Sequence, residues 1–143
     1  MTNTKKMTEN QETFIFDFDS TFIKVEALDV LCEVIYQDSA AGEQILSEIQ
    51  RLTDLGMEGK LSLKESLTKR IQLLQANRDH IGTVIEELKK KVTASVIRNR
   101  TFFKQHSENI YIISNGFKEI IIPIVQEYGI KPEHVLANTF KFD

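Results

Sequence analysis

The sequence holds a single cysteine, Cys32, in 143 residues, so no disulfide can form within the chain. Its place beside Leu28, Leu31 and Ile35 at helical spacing points to a buried thiol rather than a reactive one. Long apolar runs are missing too: IIIPIV, the longest towards the C-terminal half, is far too short to span a bilayer. The first dozen residues, MTNTKKMTENQE, lack the apolar centre of a secretion signal, and the expectation is a cytoplasmic protein without membrane association. Positive charge is not in excess. A net charge of −3 gives no reason to expect a nucleic-acid partner, and the basic stretch RNRTFFK reads as a solvated helix face. His80, His106 and His134 are scattered without metal-ligand spacing and suit surface roles. What is present, 41% hydrophobic and 27% charged residues, fits one globular domain and neither a disordered nor a membrane-embedded chain.

Residues 13 to 19, TFIFDFD, form a nearly continuous apolar run suited to a parallel strand covered on both faces. Little β character follows until about Val92. VEALDVLCEVI and AGEQILSEIQRLTDLG repeat apolar residues at helical spacing; SLKESLTKRIQLLQ opens with Ser62 and Glu65 in capping-box order; RDHIGTVIEELKKK ends in cations, as the helix dipole prefers. A parallel crossover needs only a dozen or so residues, so this long helical stretch reads as an inserted subdomain. After a helix around Ser95 to His106, NIYIIS predicts a second strand, KEIIIPIVQEYG a helix with Pro123 in its first turns and Gly129 as its C-cap, and HVLANTF a third strand. The order predicts a doubly wound α/β core with right-handed crossovers. Ligands bind beyond the carboxyl ends of such strands, where Asp17, Asp19 and Ser114 would fall.

Side chains alternate along a strand, so Asp17 and Asp19 would project the same way while the chain stays extended. Two acids against an apolar wall repel and desolvate poorly, and a divalent cation would relieve both. A calcium loop starting at Asp17 fails, because Phe22 and Leu28 stand where Gly and Glu are required. The metal-binding Asp-x-Asp of nucleotide-sugar transferases and a simple turn capped by the acids with Ser20 and Thr21 both remain open.

The complete string decides more. FDFDST, then Glu26, then MEGKLSLKESLTKR, then ISNGF resembles, in order and spacing, the phosphoserine phosphatase family of the haloacid-dehalogenase superfamily. The resemblance covers roughly residues 13–140. It implies a core formed by residues 13–24 and 93–143, a helical cap at 25–92 and a flexible tail at 1–12. It further implies that Asp17 is the nucleophile, forming an aspartyl-phosphate, and that Asp19 is the general acid and base. Mg²⁺ would bind the Asp17 carboxylate and the Asp19 backbone carbonyl. Ser114 with Asn115 and Gly116, and Phe18 on the first loop, would hold the phosphate, although Ser114 could equally be a helix N-cap. Glu26 would meet the ammonium and Arg70 the carboxylate of phosphoserine, with Met57 and Leu63 lining the apolar part of the pocket. On composition alone, Glu26 and Arg70 read as surface charges. Asn115 departs from the family, which commonly carries Gly there.

The family places a lysine and a Gly-Asp-Gly-x-x-Asp-type loop further on, and neither is found before Asp143; Lys131 and Lys141 cannot be assigned to the lysine's role. The expectation is therefore a truncated form of such a phosphatase with little or no activity of its own, and a sheet edge left open to homodimer formation. Another small phosphorylated amine as substrate, or a non-catalytic remnant that binds phosphate-bearing metabolites or a partner, are the alternatives.

Overall fold

The structure, a computed structural model, describes residues 12–142; nearly all of the tail expected at 1–12 lies outside the described residues. Three parallel strands lie side by side in chain order: β1 (Phe14–Phe16), β2 (Ile110–Phe117) and β3 (Val135–Asn138). Phe14 is in register with Ile110, Phe16 with Ile112, and Ile112 with Val135. By strand alternation these five share one face. That face enters the core: Ile110, Ile112 and Val135 are buried, and the rings of Phe14 and Phe16 pack on Phe102 and Phe103, centroids 5.1 and 5.2 Å apart.

The opposite face departs from the expectation of strands covered on both sides. Ile15, in register with Tyr111, and the register partners Ile113 and Leu136 lie on this face and are 63%, 46% and 51% exposed. The apolar run therefore reports a face that no element among the described residues covers.

The helical segment between β1 and β2 follows the periodicity closely. It comprises α1 (Ala27–Tyr36), α2 (Ala41–Met57), α3 (Leu63–Leu74) and α4 (Arg78–Lys89). Ser62 and Glu65 form their capping box at the start of α3. Asn77 and His80 form a second one on α4, and His80 is thereby a structural residue. Leu31, Ile49, Leu74, Val84 and Leu88 close the core of this segment with almost no exposure. Helices α2 and α3 touch where Gly56 faces Ser66. A Cβ on Gly56 would stand 3.0 Å from the Ser66 Cβ, and the buried Ser66 hydroxyl donates to the Leu52 carbonyl at 2.6 Å; burial of that hydroxyl is tolerable because it is satisfied.

The helix expected over 95–106 is two, α5 (Ala94–Arg98) and α6 (Arg100–Gln105), broken at Asn99. The seventh, α7 (Lys118–Val125), carries Pro123 at its sixth position, in the second turn as expected, which removes one helical hydrogen bond. The chain then tightens and stops at Gly129, whose φ of +85° is the left-handed cap expected there. His106 packs on Phe102 and Phe14, and His134 stacks on Tyr111 and bonds the Ile110 carbonyl. Both are partly buried parts of the fold rather than free surface groups.

Candidate active site

β1 stops at Phe16, three residues earlier than expected. Asp17 is still extended (φ −73°, ψ 161°), and its Oδ1 accepts from its neighbour's amide, Phe18 N, at 2.7 Å. A wide turn, Phe18–Phe22, follows, closed by Ile23 N donating to Phe18 O at 3.2 Å. The alternation that put Asp17 and Asp19 on one strand face therefore does not apply, because the chain has turned before Asp19. What holds the turn is aromatic. Phe18 and Phe22 are fully buried and stacked with centroids 6.0 Å apart, and Phe22 meets Phe103 and Tyr128 edge-on at 5.5 and 5.2 Å.

Within this turn Ser20 is left-handed, with φ of +56°, a conformation that costs a non-glycine residue energy and persists only where neighbours hold it. Ser20 N donates to Val25 O at 3.1 Å and its hydroxyl to Glu26 Oε1 at 2.6 Å. Asp19 Oδ1 accepts from Ala27 N at 2.7 Å, so the acid serves the free amide end of α1, where Glu26 makes no side-chain cap. Turn, acid and Glu26 are thus tied to one helix start.

The end of β2 approaches the same place. Pairing with β3 shifts register between Ile113 and Phe117, and the slack holds Ser114, Asn115 and Gly116. Strand geometry runs on through them to Phe117, which is the N-cap residue of α7. Ser114 is consequently not the helix cap; its hydroxyl accepts from Gly116 N at 2.9 Å. Asn138 Nδ2 donates to Asn115 O at 2.8 Å and fixes the irregularity from the neighbouring strand. The two loops approach each other at Gly116. A Cβ there would lie 3.1 Å from Ser114 Oγ and 3.5 Å from Asp19 Oδ2, so the missing side chain leaves room between a hydroxyl and an acid.

Charge in this region is mostly negative. Burial pushes the Asp19 carboxyl up to about 6, against the lowering effect of the Ala27 amide, and Glu26, Asp17 and Asp29 add to the rise. Asp29 is raised as well, by burial and then by Glu26 and Glu33, with Arg70 opposing. Arg70 is half-buried, and that burial lowers its pKa while Glu26, Asp19 and Asp29 hold it up. Its Nε reaches the Ser66 carbonyl at 3.4 Å, leaving the rest of the fork for an incoming group. Met57 and Leu63, at the facing ends of α2 and α3, are 79% and 57% exposed. Phe18 offers no free amide while Asp17 holds it.

Among the described residues no three His, Cys, Asp or Glu side chains converge to hold a metal. Asp17 and Asp19 supply oxygen donors only. Such a set fits Mg²⁺, which takes one or two carboxylates and completes its shell with water and substrate oxygens. Sequence reasoning missed Asp29 and Asn138. The first looked like an ordinary helix acid, and the second acts across the sheet, which no local pattern reports.

No family model matches the chain. The phosphoserine phosphatase of Drosophila melanogaster is 28% identical over 138 residues, 96% of this chain and 48% of its own length. A phosphoserine phosphohydrolase-like protein from Francisella tularensis superposes with a TM-score of 0.75 at 32% identity, over 92% of this chain and 63% of that one. The chain is similar in sequence to phosphoserine phosphatases and has the haloacid-dehalogenase fold. The fold is also shared with a phosphoserine phosphatase solved as a phospho-aspartyl intermediate analogue, TM-score 0.69 at 23% identity over 92% of this chain and 58% of that one. Its parallel sheet with the helical segment between β1 and β2 is the haloacid-dehalogenase core and cap. The chain spans about half the length of the curated relatives it matches, 48% of the Drosophila protein.

Proposed function

We propose that these residues form the nucleophile side of a phosphoserine phosphatase that acts in the cytoplasm. The observation that carries it is the gap at Gly116, bounded by Ser114 Oγ and by Oδ2 of Asp19, two residues along from Asp17. Asp17 Oδ1 is occupied by Phe18 N, so Oδ2 is the oxygen free to attack phosphorus; the bond to the seryl oxygen breaks as the aspartyl-phosphate forms. Asp19, protonated part of the time near neutrality, gives its proton to that leaving alkoxide and then takes one from the water that hydrolyses the acyl phosphate. Ser114 Oγ and the Gly116 amide, bonded to each other at 2.9 Å, would turn to the phosphate oxygens. Mg²⁺ held by the Asp17 carboxylate and the Asp19 carbonyl would balance charge on the phosphoryl group.

Glu26 and Arg70 select the amino acid, Glu26 binding its ammonium and Arg70 its carboxylate. Exposed Met57 and Leu63 would cover it only on closure. Arg70→Ala is expected to weaken phosphoserine binding about tenfold or more, the loss of a charge-assisted pair, and to leave binding of a phosphorylated amino alcohol unchanged. Calorimetry with both ligands checks this; an equal loss on both removes the carboxylate role and favours another phosphorylated amine as substrate. Self-association is the partner reading, supported by the exposed row Ile15, Ile113 and Leu136. Light scattering should show mass rising with concentration, and a monomer at all concentrations would remove it.

A further inference from the structure

The two chain segments that join the cap to the core run side by side. Ile23 pairs with Val92 in antiparallel sense, Lys24 N donates to Lys91 O at 2.8 Å, and Thr93 N donates to Phe22 O at 2.9 Å. Thr93 then precedes α5 with the extended backbone of an N-cap residue (φ −60°, ψ 137°), and its carbonyl accepts from Val96 N at 3.0 Å. A threonine in that place ordinarily turns its hydroxyl onto the helix's own free amides. Here it makes no such bond. Its Oγ1 donates instead to Thr21 O at 2.7 Å, across 72 residues of sequence.

Thr21 sits inside the acid turn, next to left-handed Ser20. We propose that Thr93 is a positioning residue: its hydroxyl pins the turn carrying Asp19 and Ser20 to the strand by which the chain leaves the cap. The bond is directed from the linker into the turn, so a shift of the cap is passed to Ser20, whose hydroxyl orients Glu26, and to Asp19, which holds the start of α1. The cap's position and the acid's aim are then one variable. Its catalytic meaning rests on the phosphatase reading, whereas the contact and its test do not.

The test is amide hydrogen exchange on the ligand-free 143-residue chain. Thr93→Val, which keeps shape and removes the hydroxyl, is expected to speed exchange at the Ser20 and Ala27 amides about tenfold, with α4 amides unchanged, and Thr93→Ser to restore it. Thr93→Asp separates the roles: an ionised carboxylate caps a helix well and cannot donate. It should protect the Ser95 and Val96 amides of α5 while leaving Ser20 and Ala27 as fast as in the Val variant. Unchanged Ser20 and Ala27 exchange in Thr93→Val, or their full restoration by Asp, overturns the proposal and leaves only a helix cap. Should the Val variant not fold, the Asp and Ser variants decide it, and equal exchange at Ser20 and Ala27 in both overturns it. A failed phosphatase reading would show separately, as absent phosphoserine binding in the unaltered chain.

Discussion

Asp17→Asn is expected to lower phosphoryl transfer from phosphoserine by at least about a thousandfold, the scale on which removal of a covalent nucleophile acts. The carboxamide matches the carboxylate in shape and keeps one carbonyl oxygen. That oxygen can still accept from Phe18 N, which Asp17 Oδ1 does at 2.7 Å, so the turn has no reason to rearrange. The second position becomes an NH₂ group, a donor without a nucleophilic lone pair. Ser114, Gly116, Glu26 and Arg70 are untouched, and without Mg²⁺ phosphoserine should bind at least as well as to the unaltered chain, because the substitution removes a negative charge beside an anionic group. Mass spectrometry of the acid-quenched protein provides the second measurement, with a phosphoryl group on the Asp17 peptide of the unaltered protein and none in the variant. Turnover retained above a tenth, or a phosphoryl group found elsewhere, would remove Asp17 from the nucleophile's place.

The helices were legible because their signals are local. Apolar spacing gave α1 to α4, Ser62 and Glu65 gave the start of α3, and Gly129 gave the stop after α7. The capping box of α4 escaped notice since its third residue is His80 rather than Glu or Gln. The sequence names the residues proposed for the site but does not give its shape. Alternation along a strand presumes an extended chain, whereas the turn at Phe18–Phe22 is imposed by bonds to Val25, Ala27 and Thr93 and by the rings of Phe103 and Tyr128. The register shift that shapes Ser114–Gly116 depends on Asn138, 23 residues beyond Asn115. Tertiary partners of this kind leave no periodic trace. The exposed row of Ile15, Ile113 and Leu136 was misread for the opposite reason: an apolar run states which surface prefers cover, and cannot state what covers it.

Asp19→Asn is expected to stabilise the metal-free chain near pH 7.5 by about 2–3 kcal/mol and to have little effect near pH 4. The sign follows from the direction of the shift. Asp19 rises from 3.8 to about 6 on folding, chiefly because burial disfavours its charge, so its contribution to stability is complete below the unfolded value and is lost as pH climbs through about 6. Asn carries no charge to desolvate and offers the same oxygen to Ala27 N. The gain over the unaltered chain should therefore grow from about pH 4 to about pH 6 and then level off. Urea unfolding of both proteins across that range measures it, the difference cancelling the other carboxylates. A difference that stays flat with pH would mean that Asp19 is not held against its charge. In the proposed mechanism the same strain would give the acid its use: a carboxyl whose ionised form is disfavoured in place holds a proton part of the time near neutrality, where a departing alkoxide could take it.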